Sequence, residues 1–226
     1  MADLGGTGAA ALRSDAARNR ARLLDAARQR LAGGDTTLGL NALARCAGVG
    51  VGTAYRHFPD RQSLVEGLAT EGLKELLDAA QQAADDLDPA VGLERLLRAA
   101  LSAMAADSVL AEVLSTATPV CAETIGLSRE LGVSLEGLLH RARCAGLMRP
   151  DIGADDLRRL LVGAHSATQA GSDPEAAREL YLAVLLAGLA HPAAGALASR
   201  AALQVADTRS SRGPPSATPR PCTDRD

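Results

Sequence analysis

The strongest constraint on this chain is the identity of its apolar residues. Hydrophobic residues make up 47% of a 226-residue sequence, and most of them are alanine and leucine. Both are strong helix formers, and no run of β-branched or aromatic residues competes with them for a sheet. The fold class that follows is all-α. Aromatic residues are confined to Tyr55, Phe58 and Tyr181, with no Trp. Two of the three stand within four residues of each other, which singles out that segment.

Capping residues, glycines and prolines divide the chain into elements. Residues 1–12 are rich in Gly and Ala and read as a flexible arm. A helix over 13–32 follows, with Ala17, Leu23, Leu24, Ala27 and Leu31 as its apolar positions and Gly33-Gly34 as its stop. Thr36 and Thr37 are candidate N-caps for a short helix over about 38–46. Gly48-Val49-Gly50 is a tight turn, and a second short helix runs over about 51–57, ended by Pro59. Asp60 is placed to cap a long helix over about 61–85. Downstream, Asp88-Pro89, Asp107, Thr118-Pro119, Asp155 and Asp173-Pro174 open helices over about 89–105, 107–115, 119–145, 154–170 and 174–190. The third of these is broken near Gly126 or Gly132, and His191-Pro192 closes the fifth. A last helix covers about 193–206. The Pro-, Ser- and Thr-rich stretch from 208 to 226 cannot bury a core and reads as a disordered tail. The expected organisation is an arm (1–12), a three-helix head (13–60), a larger helical body (61–207) and the tail (208–226).

Charge is distributed unevenly between these parts. The formal net charge is −3. Residues 13–61 nevertheless carry nine Arg against four Asp, whereas residues 62–226 carry 15 basic and 22 acidic side chains. A basic head on an acidic body suits phosphate binding by the head. The sequence also favours Arg over Lys throughout, Lys74 being its single lysine, so charge alone decides nothing.

Several function classes are excluded. The four cysteines (Cys46, Cys121, Cys144 and Cys222) show no paired spacing and no metal-ligand pattern. Cys46, Cys121 and Cys144 read as buried structural thiols, and Cys222 as an exposed thiol of the tail. No apolar signal core opens the chain, and no uninterrupted run of about 18 apolar residues could span a bilayer. The expectation is a cytoplasmic chain without membrane contact. The four histidines (57, 140, 165 and 191) are scattered, and no Gly-rich phosphate loop follows a strand pattern. An enzyme is not expected, nor a metal or other cofactor.

The segment TTLGLNALARCAGVGVGTAYRHFPDRQSL, residues 36–64, carries the chemistry. Two short helices meeting at a glycine-containing turn form the geometry that lays a recognition helix into the major groove of double-stranded DNA. Small residues at the start of the second helix, Gly50, Val51, Gly52 and Ala54, allow close approach to base edges. Arg56 can reach guanine O6 and N7 in bidentate fashion. Thr53, Tyr55 and His57 can donate to phosphates, and Arg61 with Thr36 or Thr37 can contact the flanking backbone. Phe58 is suited to packing inward. A helical protein-interaction scaffold without specific DNA binding remains the alternative at this point.

The same segment resembles the head of the TetR family of bacterial repressors. The resemblance rests on Ala44, Ala47-Gly48-Val49, Thr53, Tyr55, His57-Phe58 and Leu64, and it covers roughly residues 18–65. It implies a homodimer whose two heads read a palindromic operator, repression as the default action, and release by a small-molecule effector. Carried over by position, Thr53, Tyr55 and His57 resemble phosphate-contacting residues, and Gly52, Ala54 and Arg56 fall where bases can be approached. Arg61 stands where a phosphate-contacting cation, most often Lys, is usual. Gly50 departs from the commonest Ser, which removes a capping hydroxyl. The resemblance also makes the body a ligand-binding and dimerisation domain.

In the body, Leu157, Leu161, Ala164, His165, Leu182, Leu185, Leu186 and Leu189 lie on the last two strong helices. In similar regulators such a pair packs against its copy, and intramolecular core is the other use for these residues. An effector cavity among the helices of 61–145 would draw on Leu96, Met104, Leu110, Leu114, Val120, Leu138 and Met148 for apolar lining. Cys121, Glu123 and His140 are candidate polar groups there. The shortage of aromatics argues against a ring-walled cavity and for a medium-sized apolar effector.

Overall fold

The computed structural model describes residues 6–190 except residue 117. The expected helix over 193–206, the tail with Cys222, and His191-Pro192 lie outside the described residues. Nine helices are present among those described: α1 (Gly6–Ala32), α2 (Leu40–Ala47), α3 (Val51–His57), α4 (Arg61–Ala84), α5 (Pro89–Ala106), α6 (Ser108–Ser115), α7 (Ala122–Cys144), α8 (Ala154–Gln169) and α9 (Pro174–Leu189). The fold is all-α, with a small bundle of α1–α3 followed by a larger helical bundle.

Helix boundaries follow their caps. The Asp60 carboxylate accepts from the Ser63 N–H, and the Ser63 hydroxyl accepts from the Asp60 N–H, closing a capping box on α4. Asp88, Asp107 and Asp173 cap α5, α6 and α9 in the same sense, with Pro89 and Pro174 in the first turns.

Four expectations need correction. α1 begins at Gly6, so much of the expected arm is helical, and Ala17 is exposed rather than apolar lining. α7 starts at Ala122, not after Thr118-Pro119, and runs unbroken through Gly126 and Gly132. Neither glycine is followed by proline, and an isolated glycine lowers helix stability without ending the helix. The first short helix starts at Leu40, for a reason given below. Cys46 and Cys144 are exposed and Cys121 is half-buried.

Two buried clusters organise the interior. The first gathers α1, α2 and α3 around Phe58, with Leu23, Leu43 and Leu64 fully buried. It does not stop at residue 60, because Leu73 of α4 and Val109 and Leu110 of α6 belong to it. The second cluster lies between α4, α5, α7, α8 and α9, around Leu97, Leu101, Leu138, Leu139 and Leu157. α4 takes part in both and packs along α5, α6 and α7. With α6, which adds Val109 and Leu110 to the first cluster and packs on α5 and α8, it joins the two halves.

Candidate nucleic-acid interface and internal cavity

The head is built from a few local devices. Asp35 accepts from both the N–H and the hydroxyl of Thr37, at 2.9 and 2.6 Å. These bonds, together with Arg30 at 2.6 Å, hold the Asp35 carboxyl down at about 2. Thr37 is thereby spent inside a turn, so neither Thr36 nor Thr37 caps α2. Gly39 occupies the cap position, with no side-chain bond. Leu38 enters the left-handed region at φ 50° and buries its side chain, pinning the turn. Thr36 and Thr37 both stay exposed.

α2 ends at Gly48, whose φ of 60° and ψ of 37° reverse the chain. The Val49 N–H reaches back to the Ala44 carbonyl at 2.9 Å. A Cβ at Gly48 would meet only the movable end of the Arg22 side chain, at 2.9 Å, so it is the left-handed backbone that favours glycine here. Gly50 then starts α3 through its carbonyl alone, accepting from Thr53 and Ala54.

α3 shows two faces. Ala54 and the adjoining Phe58 are buried. The face turned outward carries Val51 and Tyr55, each 44% exposed, together with exposed Gly52 and Arg56 and half-buried Thr53 and His57. Ala54, expected near the bases, is therefore a packing residue: its methyl group lies inside the first cluster. Phe58 packs where a Cβ on Gly67 would stand 2.9 Å from its ring, and the Arg20 guanidinium lies 5.4 Å from the ring centroid.

The polar groups on the outward face are held in waiting positions. Arg56 folds back on its own helix, donating to the Gly52 carbonyl at 3.2 Å and to the Thr53 hydroxyl at 3.0 Å. Burial, with Arg20 and Arg56 nearby, lowers the His57 pKa, so the ring stays neutral at neutral pH. Arg61 is paired with Glu112 of α6 through both terminal guanidinium nitrogens, one contact being 3.0 Å, and its Nη2 reaches the Thr36 carbonyl at 3.4 Å.

One buried carboxylate was not singled out by sequence reasoning. Glu66, 1% exposed, accepts from the Val120 and Cys121 N–H groups at 2.8 and 2.7 Å and from Gln62 at 3.0 Å. Burial pushes the Glu66 carboxyl up, but the bonds it accepts outweigh this and leave it below its ordinary range. Burial beside Glu66 raises the Cys121 thiol to about 11. Glu66 thus ties the loop before α7 to α4. The signal that could have found it is an acid amid the nearly continuous buried stretch Ser63–Thr70.

A cavity of about 320 Å³ opens between α4, α5, α6, α7 and α8. Of the expected lining, Leu96, Met104 and Leu114 are present. Leu110 belongs instead to the first cluster and Leu138 to the core of the second. Cys121 is engaged with Glu66 and Ser63. Glu123 pairs with Lys74 at 3.3 Å and with Arg20 at 3.9 Å. His140 is exposed and stands 3.5 Å from the Cys144 sulfur. Val120 is exposed, and Met148 lines a separate recess with Leu186 and Leu189. Counting back from the expected helix start at residue 119 misplaced this region, because the loop before Ala122 turns Cys121 toward α4.

Comparison with the curated proteins gives no match. Two family profiles match the chain. "Bacterial regulatory proteins, tetR family" matches residues 23–68, and "Transcriptional regulator SbtR-like, C-terminal domain" matches residues 88–191, together well over half of the sequence. A TetR regulatory protein from Mycobacterium vanbaalenii is 30% identical over 79% of this chain and 99% of its own, with a TM-score of 0.44. The chain belongs to the TetR family. It is a DNA-binding transcriptional regulator. Other similar structures are a TetR regulator from Streptomyces coelicolor (28% identity, 76% of this chain, 99% of that one, TM-score 0.48) and a TetR-family regulator from Shewanella sp. PV-4 (19%, 76%, 98%, TM-score 0.55).

The last two helices of this TetR-family chain correct the expected interface set. Leu157, Leu182 and Leu189 are buried within the protomer, so no surface of theirs is left for a partner. Leu161 lines the cavity, and Ala164 and Leu186 pack on the second cluster. His165 and Leu185 are half-buried, and burial followed by the Arg178 charge lowers the His165 pKa. Of the expected set only Leu157, Leu182 and Leu189 are buried, whereas Leu161, Ala164, His165, Leu185 and Leu186 stay half-buried. The outward stripe holds Leu160, 40% exposed, Leu180, 60%, and Val184, 59%, with exposed Gly163 and Gly188 beside them. No described helix is long and apolar enough to cross a membrane.

Proposed function

We propose that this chain binds a palindromic DNA operator as a homodimer, acts as a repressor and is released when a small molecule enters the cavity. The observation that carries the reading is the two-faced α3: Ala54 and Phe58 fasten it inward, while Arg56, Tyr55 and Thr53 stand on the open side. Arg56 leaves Thr53 to read a guanine edge. Tyr55, Thr53, His57, Arg61 and the backbone at Gly50–Gly52 position the phosphates, with Val51 against the groove wall. Thr36 and Thr37 lie beside Arg61 at the flank.

Dimerisation uses the outward stripe of α8 and α9. Leu160, Leu180 and Val184 form an apolar surface, and the adjacent glycines permit close helix approach. Effector control has a physical route in this chain. Val113, Leu114, Thr116 and Pro119 line the cavity, and the same segment is tied to α4 by Glu112–Arg61 and by Glu66.

The test compares the native chain with Arg56→Ala on operator and random DNA. The reading predicts a loss of about ten- to a hundredfold on the operator and little change on random duplex. Equal loss on both removes Arg56 from base reading. In sedimentation, Leu180→Glu with Val184→Arg should convert a dimer to a monomer, and an unchanged mass would place the interface elsewhere.

A further inference from the structure

The cavity is unevenly built, and the unevenness restricts what fits it. Its wall is aliphatic: Leu114, Leu131 and Leu161 are half-buried, and Leu97, Met104 and Leu157 back them from the core. Its polar groups stand at the rim, where Thr116, Ser128 and Asp155 are exposed and Arg158 is half-buried. None of the chain's aromatic residues, Tyr55, Phe58 and Tyr181, lines it. A planar aromatic ligand would find no ring to stack on or to meet edge-to-face, whereas a flexible saturated chain fills a leucine-walled space well. At about 30 Å³ for each water-sized group, 320 Å³ accommodates roughly ten non-hydrogen atoms.

The rim supplies a head-group site. Arg158 donates to the Leu114 carbonyl at 2.8 Å through Nη1, and to one Asp155 oxygen through Nε and Nη2 at 3.1 and 2.8 Å. The other Asp155 oxygen is taken by Arg159. One carboxylate is thus shared by two guanidinium groups. A guanidinium has five N–H donors, so Arg158 keeps two unspent, and Thr116 and Ser128 line the same cavity.

We propose that the cavity takes a saturated aliphatic carboxylic acid of about eight to ten carbons, its tail along Leu114, Leu131 and Leu161 and its carboxylate on Arg158 at the rim that Thr116 and Ser128 share. The inference rests on the reading of this cavity as the effector site and names its ligand class. Charge-assisted bonds from Arg158 fix the head, and the depth of the aliphatic wall sets the tail length. An acid that recruits Arg158 also pulls on the Leu114 carbonyl, the last turn of α6, close to Glu112.

The experiment titrates the full chain with sodium decanoate, decan-1-ol and 2-naphthoate by calorimetry, then repeats operator binding with each. Decanoate should bind once per protomer, about tenfold more tightly than 2-naphthoate, and weaken operator binding. Arg158→Gln should cost decanoate about tenfold and leave decan-1-ol within about twofold. Gly132→Phe, where a Cβ meets open space beside the cavity, should abolish both while the unfolding midpoint holds. Equal or tighter 2-naphthoate binding that still releases the operator overturns the ligand class and keeps effector control. Decanoate binding without any effect on the operator keeps the ligand class and contradicts effector control. Unchanged decanoate affinity in Arg158→Gln overturns the head-group assignment, and binding by none of the three overturns the inference.

Discussion

The two buried clusters solve opposite problems with the same amino acids. Around α1–α3, the first cluster fills its centre with the one phenylalanine in the chain and leaves its donors facing outward. Around α4, α5, α7, α8 and α9, the second cluster has no aromatic residue and borders a space of about 320 Å³. A head that must present a fixed surface to a rigid duplex needs a solid centre. A body proposed to register a small molecule needs room. On the proposed reading the contrast separates two functions: DNA recognition in exposed side chains on a rigid support, and effector sensing in a volume that packing leaves open.

The sharpest way to break this contrast is at the solid centre. Phe58→Ala should cost about 3–5 kcal/mol in denaturant unfolding and abolish operator binding with it. A loss under about 1 kcal/mol would mean that the head is not held by its aromatic plug. Ala100→Leu in the cavity wall is the counterpart. It should leave stability within about 1 kcal/mol, because the added carbons enter space already open rather than a filled core.

Glu66, set between Val65 and Leu68 of the first cluster, comes next. Glu66→Ala should cost about 1–3 kcal/mol, because the Val120 and Cys121 N–H groups lose their acceptor. Since the Glu66 carboxyl lies below its ordinary range, its contribution is complete above the unfolded value near about 4.3 and is lost as pH falls through the lower folded value. Unfolding midpoints measured from pH 7 to 3 in native chain and Glu66→Gln should converge in acid. Parallel curves would deny the clamp its charge.

The smallest effect concerns the Arg61–Glu112 pair. It is nearly half exposed, so Glu112→Gln should change stability by less than about 1 kcal/mol. The same change frees Arg61 for phosphate and should strengthen DNA binding. Arg61→Ala should reduce the slope of log affinity against log salt by about one. A Glu112→Gln chain with native affinity would show that the pair does not compete with DNA.

These residues differ in how legible they were. The all-α fold, the caps at Asp60, Asp88, Asp107 and Asp173, and the turn at Gly48 followed from local chemistry, because a cap or a positive φ is decided within four residues. Ala54, Leu157, Leu182 and Leu189 misled for one reason: helices such as α8 and α9 are apolar on more than one side, so composition could not say which small or leucine side chains are buried within the protomer. Glu66 was hidden because its partners are backbone groups more than 50 residues away. The cavity lining was half legible, since Leu96, Met104 and Leu114 could be read as apolar helix positions while the turn of the loop before α7 could not.

The central claim is that two copies of this head read one duplex. Selection of bound sites from random double-stranded DNA by the full chain tests it most directly. The account predicts enrichment of an inverted repeat, and a relaxed preference for guanine within each half-site when the Arg56→Ala chain performs the selection. Enrichment of no sequence, or of a lone half-site without its inverted copy, would contradict it.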